Sequence, residues 1–82
     1  MDQAEILSQL ILILRKTFEN DDLKITNETT ADDVDEWDSM THLQLITELE
    51  KHFKVRFALG ELQSLKNVGD MVGLINKKLA SN

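Results

Sequence analysis

Glu36-Trp37-Asp38-Ser39-Met40-Thr41-His42-Leu43-Gln44-Leu45-Ile46 is the stretch whose reading decides the fold. Asp is a strong helix N-cap because its carboxylate accepts from backbone N–H groups that a first helical turn leaves unpaired. Behind Asp38 the apolar residues Met40, Leu43, Leu45, Ile46, Leu49 and Phe53 recur at helical spacing, which predicts a helix over Ser39–Phe53. The apolar set is wider than one stripe, so this helix should contact neighbours on more than one side. Lys51 and Lys54 fall near its C-terminus, where the helix dipole favours cations.

Upstream, no helical period survives over residues 23–38. Ile25, Val34 and Trp37 are separated by Asn, Thr and Asp, residues that bond their own backbone and favour turns. This predicts a long loop pinned to the core by its apolar residues, with one short helical turn near residues 31–34. Before it, Leu7, Leu10, Ile11, Leu14 and Phe18 stand at helical spacing, with Ile6 and Ile13 widening the face. A helix is expected over residues 2–19, with Asp2 and Glu5 at its positive end and Arg15 and Lys16 at its negative one. Asn20-Asp21-Asp22 breaks the pattern.

Downstream, Lys54-Val55-Arg56-Phe57 alternates charged and apolar residues. One strand would have no partner in this chain, so an extended connector is expected. Leu59, Leu62 and Leu65 suit a short helix or turn over residues 58–65. Asn67 can cap a last helix whose stripe is Val68, Met71, Val72, Ile75 and Leu79, with Lys77 and Lys78 near its end. The expectation is an all-α fold: a small four-helix bundle of three longer helices and one short one, with a long first loop, forming a single domain over residues 1–82.

Composition sets the limits. Eighty-two residues with 41% apolar content supply one core and not two. The chain has no cysteine, which excludes disulfides, zinc–thiolate sites, iron–sulfur clusters and side-chain thiol chemistry. It has no proline either, where average usage of ~5% would give about four. Its helices must therefore be stopped by other residues. The formal charge of −6 argues against nucleic acid, which basic surfaces bind through phosphates. The longest apolar run is Leu10-Ile11-Leu12-Ile13-Leu14, far short of the ~20 residues that cross a bilayer. Met1-Asp2-Gln3-Ala4-Glu5 is acidic where a signal peptide is basic. A monomeric cytoplasmic protein with no membrane insertion is expected.

The charge is uneven. Residues 1–38 carry a net −8 and residues 39–82 a net +2. Glu28, Asp32, Asp33, Asp35, Glu36 and Asp38 form a run without a cation. Such a run is either a solvated loop or a docking surface that steers and orients basic partners. It lacks the central Gly and the register of a calcium loop.

No catalyst is legible. Ser39 and His42 share a helix face beside Asp38 and superficially suggest a triad. Neighbouring positions on one helix do not supply an aligned base, an orienting acid and an oxyanion hole. No G-x-S-x-G turn, phosphate loop or H-E-x-x-H spacing is present. His42 and His52, the two histidines, are expected to be surface residues.

The Asp38-Ser39-Met40 segment opening a helix resembles the phosphopantetheine attachment region of acyl carrier proteins. The resemblance extends over the first amphipathic helix, the acidic loop, Leu49-Glu50-Lys51-His52-Phe53, the Val55-x-Phe57 connector and Asn67-Val68-Gly69-Asp70-Met71-Val72. It implies that Ser39 bears 4'-phosphopantetheine, transferred from coenzyme A by a phosphopantetheinyl transferase, with Asp38 as the attachment motif and helix cap. The arm's thiol would then carry acyl groups as thioesters for acyl-loading and acyl-processing enzymes. A helix N-terminus would place the phosphodiester near unpaired N–H groups and the positive dipole end. By the same resemblance Leu43, Ile46 and Leu49 belong to the core side, and Met40 lies beside the arm in the surface that partners read. Trp37 either covers the base of the helix or is an ordinary packing residue.

The sequence also departs from the family. Carriers of fatty-acid synthesis have a strongly acidic second helix, whereas here that face reads Thr41, Gln44, Thr47 and Lys51, with Glu48 and Glu50 as its acids. Partner recognition is therefore expected from Met40, Gln44 and Glu48 together with Asp35 and Glu36 of the loop. This suggests a specialised carrier in fatty acid, lipid or secondary-metabolite biosynthesis. An aminoacyl carrier (D-alanyl or peptidyl) and a non-enzymatic helical adaptor docking through the acidic loop are the alternatives.

Overall fold

The computed structural model describes residues 2–80; Met1 of the acidic N-terminal segment lies outside them. Among the described residues the elements are α1 (Gln3–Thr17), a 3-10 turn (Ala31–Asp33), α2 (Ser39–Phe53), α3 (Leu59–Gln63) and α4 (Val68–Ala80). No strand forms among them, and residues 55–58 are an irregular connector.

Helix α1 packs against both α2 and α4. The core joins Ile6, Leu10, Leu14 and Phe18 to Leu45, Ile46, Leu49 and Phe53 and to Val68, Met71, Val72 and Ile75. On α1 the buried line runs through Ile6 rather than Leu7, which sits half-buried at its edge. On α2 one expectation fails: Leu43 is 67% exposed, and Leu45 is fully buried in its place. A helix turning 3.6 residues per turn that buries Leu45, Ile46, Leu49 and Phe53 carries Leu43 outward, because positions 43 and 45 point about 200° apart.

With no proline, the helices stop by backbone geometry. Glu19 (φ 54°) follows α1 and Lys54 (φ 57°) follows α2 in left-handed conformations. Asn20 N–H then donates to Arg15 C=O at 2.9 Å, and Val55 N–H to Glu50 C=O at 3.2 Å. These bonds satisfy carbonyls that a helix end leaves unpaired.

The long loop is tied at several points. Ile25, Val34 and Trp37 enter the core, as their spacing suggests. The Arg15 guanidinium donates twice to Leu23 C=O, at 3.0 and 2.8 Å. Loop carbonyls of Thr29 and Asn27 accept from Val68 N–H at 2.9 Å and Gly69 N–H at 2.8 Å, pairing first-turn donors of α4. Glycine suits that approach: a Cβ at Gly69 would lie 3.0 Å from Asn27 O and 3.3 Å from Asn67 Oδ1, so these neighbours would have to give by a few tenths of an ångström. Asn67 caps α4 through its Oδ1, which accepts from Asp70 N–H at 2.9 Å. A Lys78–Glu61 ion pair at 2.8 Å fastens α3 to α4. No buried side-chain nitrogen or oxygen among the described residues lacks a partner.

The two leucines of α2 separate under mutation. Leu45→Ala is expected to lower unfolding free energy by about 2–5 kcal/mol, and Leu43→Ala by no more than about 0.5 kcal/mol. Urea denaturation measures both, and equal losses would overturn the assignment of faces.

Candidate functional site

The site is built around the first turn of α2. Asp38 holds an extended backbone, and its Oδ1 accepts from Met40 N–H and Thr41 N–H, both at 2.9 Å. Thr41 completes a reciprocal box: its Oγ1 accepts from Asp38 N–H at 2.8 Å and donates to Glu36 C=O at 2.7 Å. The Thr41 N–H, first of all, holds the Asp38 carboxyl below its ordinary value; Met40 N–H and the Thr41 hydroxyl add to this, and desolvation opposes it. One expectation is thereby corrected. The Met40 and Thr41 N–H groups are not left unpaired for a phosphodiester, because Asp38 already takes them.

Ser39 is the first residue of α2 and is exposed. It borders an open cleft of about 550 Å³ lined also by Ala31, Trp37, Asp38, His42 and Leu43. Trp37 is 9% exposed and tilts against Phe18, with ring centroids 5.6 Å apart. Its indole Nε1–H donates to His42 Nδ1 at 2.9 Å, and the two rings lie within 21° of coplanar. An indole N–H can only donate, so this bond requires a neutral His42 with its proton on Nε2. Burial pushes the His42 pKa down and favours the same form.

His42 is thus half-buried, not the surface residue expected, because the loop brings Trp37 beside it. In a catalytic triad Nδ1 would donate to an orienting carboxylate; here it accepts from Trp37. His52 is exposed and pairs with Gln9 Oε1 at 2.6 Å. Among the described residues no group of His, Asp and Glu could hold a metal ion.

The structure gathers Asp38, Ser39 and Met40 at one end of α2, with Met40 75% exposed. Gln44 and Glu48 instead line a groove between α1 and α2. Asp35 is exposed in the loop, while Glu36 Oε2 accepts from Asn20 Nδ2 at 2.9 Å. The acidic run is therefore divided in use. Asp38 caps α2, Asp33 Oδ2 accepts from Thr30 N–H at 2.9 Å, and Glu36 holds Asn20. Glu28, Asp32 and Asp35 are exposed. Glu50, counted among the acids of α2, accepts from Phe57 N–H at 2.9 Å and is half-buried. Sequence reasoning missed Ala31 and the pairing of His42 with Trp37; the one signal was the position of His42 three residues beyond Ser39.

A family model described as the phosphopantetheine attachment site matches residues 8–75. The chain belongs to this family. It is 34% identical over 82 residues to an acyl carrier protein of Thermosynechococcus vestitus, covering 99% of this chain and all of that protein. A solution NMR structure of holo acyl carrier protein from Geobacter metallireducens matches with a TM-score of 0.87 and 53% identity, over 92% of this chain and 86% of that one. The chain is an acyl carrier rather than a catalyst, with phosphopantetheine as its prosthetic group. The cleft beside Ser39 fits such a group: it is open, and it offers an exposed hydroxyl at its rim. No described helix of the carrier is long and apolar enough to cross a membrane.

The tautomer of His42 has a measurable consequence. An unfolded chain protonates histidine near pH 6.5, whereas the folded carrier keeps His42 neutral to lower pH. Its contribution to stability is complete above the unfolded value and is lost as pH falls through the folded value. The melting temperature should fall between about pH 7.5 and 5.5, and His42→Gln, which can still accept from Trp37, should flatten that fall. Parallel curves for the two proteins would overturn the assignment.

Proposed function

We propose that Ser39 is the residue to which 4'-phosphopantetheine is attached, and that residues 1–82 act as one monomeric carrier domain. The observation that carries this reading is the exposed Ser39 hydroxyl at the start of α2, on the rim of the open cleft and within the matched segment. A phosphopantetheinyl transferase is the first partner, with coenzyme A as donor. When bound, the group supplies a thiol that holds acyl cargo as a thioester, which this cysteine-free chain cannot do with a side chain.

The chain's own residues have defined tasks in loading. Ser39 Oγ forms the new bond to phosphorus as the pyrophosphate bond of coenzyme A breaks and the nucleotide leaves. His42 cannot take the hydroxyl proton, since Nδ1 accepts from Trp37 and Nε2 bears hydrogen. That proton leaves to a base outside this chain. Asp38, occupied by the helix N–H groups, keeps the first turn rigid while the transferase acts.

The reading extends to a specialised carrier with dedicated acyl-loading and acyl-processing enzymes, in fatty acid, lipid or secondary-metabolite biosynthesis in the cytoplasm. The outer face of α2 supports it, for Met40, Leu43, Gln44 and Thr47 are uncharged and exposed, with Glu48 half-buried beside them. Partners would then read Met40, Gln44 and Glu48 by shape and hydrogen bonding, while Asp35 and Glu36 supply orientation by charge.

Incubation with coenzyme A and a promiscuous transferase is expected to add one phosphopantetheine to the intact mass. Ser39→Ala should abolish the addition while leaving the circular dichroism spectrum unchanged. Labelling of the Ala variant, or none of the parent, would refute the assignment.

A further inference from the structure

His42 leaves one polar group unused in the cleft beside Ser39. Its Nδ1 accepts from Trp37 Nε1–H, which fixes the ring proton on Nε2. Nε2–H has no partner among the described residues, although the ring is half-buried. Such a donor calls for an acceptor that the folded chain does not itself supply. The ring lines the cleft together with Ser39, Ala31 and Leu43.

We infer that His42 Nε2–H binds the phosphodiester of the arm on Ser39, completing a hydrogen-bond chain from the Trp37 indole through the imidazole to a phosphate oxygen. The inference rests on the attachment reading above and makes His42 a positioning residue for the arm. Spacing permits it. Ser39 and His42 are three residues apart on α2, neighbours whose Cβ atoms lie about 5–6 Å from each other. Helical side chains lean toward the N-terminus, so the imidazole lies over the turn that Ser39 begins. Trp37, which precedes that turn, holds the ring in place.

Most other donors at this end are taken. Asp38 Oδ1 accepts from Met40 N–H and Thr41 N–H, and Asp38 C=O accepts from His42 N–H. The Thr41 hydroxyl donates to Glu36 C=O. That leaves Ser39 N–H and His42 Nε2–H open among the described residues, and only the second stands on a side chain that can direct the arm. No Lys or Arg lines the cleft; Lys66 lines a separate cavity of about 60 Å³ that Trp37 and His42 also border. His42 therefore offers a charge-assisted bond, roughly twice as strong as one between neutral groups.

The contact has a direction. Positions 40 and 42 point about 200° apart on either side of Ser39. A phosphate held by His42 aims the arm toward Ala31 and the loop side of the cleft, and leaves the exposed Met40 uncovered. The contact also links the arm to the loop. An acceptor on Nε2–H polarises the ring and makes Nδ1 a stronger acceptor. Loading thus tightens the bond to Trp37, whose ring packs on Phe18.

The test is proton–nitrogen NMR of the full chain, apo and holo, after intact mass has reported the loading of Ser39. Trp37 is the one tryptophan, so its indole N–H is a single signal. On loading, the His42 Nε2–H proton should exchange with water several-fold more slowly. The Trp37 Nε1–H should move downfield while His42 keeps its tautomer. Phosphorus NMR supplies a second readout. The phosphodiester resonance should shift in holo His42→Leu, which removes the donor. It should stay near the parent position in His42→Gln, which can both accept from Trp37 and donate. A His42 that serves packing alone gives equal Nε2–H exchange in the apo and holo parent, and one phosphorus position in all three proteins. Either result would overturn the inference. Should His42→Leu fail to fold, the apo and holo parent decide the matter between them. A parent that takes no phosphopantetheine overturns it too, together with the attachment reading. Intact mass separates that failure from a loaded arm that His42 does not touch.

Discussion

The start of α2, on which the proposed attachment hydroxyl of Ser39 stands, is fixed by one reciprocal cap. The Asp38 carboxylate takes two N–H groups of α2, while the Thr41 hydroxyl takes the Asp38 N–H and donates back to Glu36. Removing either member frees donors or acceptors at the same turn that presents Ser39. The cap also orients the chain entering it. Thr41 holds the Glu36 carbonyl, so Trp37 is delivered into the core at a set angle, where Phe18 and His42 receive it. Every position along α2, from Ser39 to the Glu50 that anchors Phe57, takes its direction from this start.

The same economy governs the long loop. A segment without regular structure must satisfy its own polar groups, and this one does so by meeting those of helix ends. Carbonyls of Asn27 and Thr29 pair the first N–H groups of α4, and the Leu23 carbonyl receives Arg15 at the end of α1. Helix termini and loop thus complete each other. Gly69, without a Cβ, suits that close approach of the two backbones.

Local signals were legible and cross-chain ones were not. The bounds of α2 followed from a cap residue and an apolar period, both of which act within a few residues. The stripe of α4, the turn at Ala31–Asp33 and the pinning of the loop by Ile25, Val34 and Trp37 followed likewise. The face of Leu43 did not, because an apolar set as wide as that of α2 admits more than one buried side. The core was decided by where α1 and α4 lie. The neutral state of His42 was equally out of reach: it depends on a loop residue five positions earlier, beyond the cap, where helical spacing says nothing. For the groove the sequence held a faint signal. Leu12 and Leu43 are apolar residues left over once each helix has buried its stripe, and only the packing of α1 on α2 shows that they face one space.

The division of the carboxylates bears on how such a carrier is recognised. A run of six acids reads as one electrostatic feature, yet Asp33, Glu36 and Asp38 are bound to Thr30, Asn20 and the α2 N-terminus. Carboxylates engaged by N–H groups still contribute field, but they cannot swing toward a partner without breaking those bonds. The exposed Glu28, Asp32 and Asp35 can. In the proposed docking, long-range attraction would come from the whole loop, and direct pairing only from its free members. On α2 itself the exposed face is apolar and amide-bearing, so discrimination by a partner docked there as proposed would depend on shape and burial, which salt screens little. On the proposed reading, charge on the loop brings enzymes to the mouth of the cleft, and the uncharged Met40, Leu43, Gln44 and Thr47 of α2 decide which of them fit.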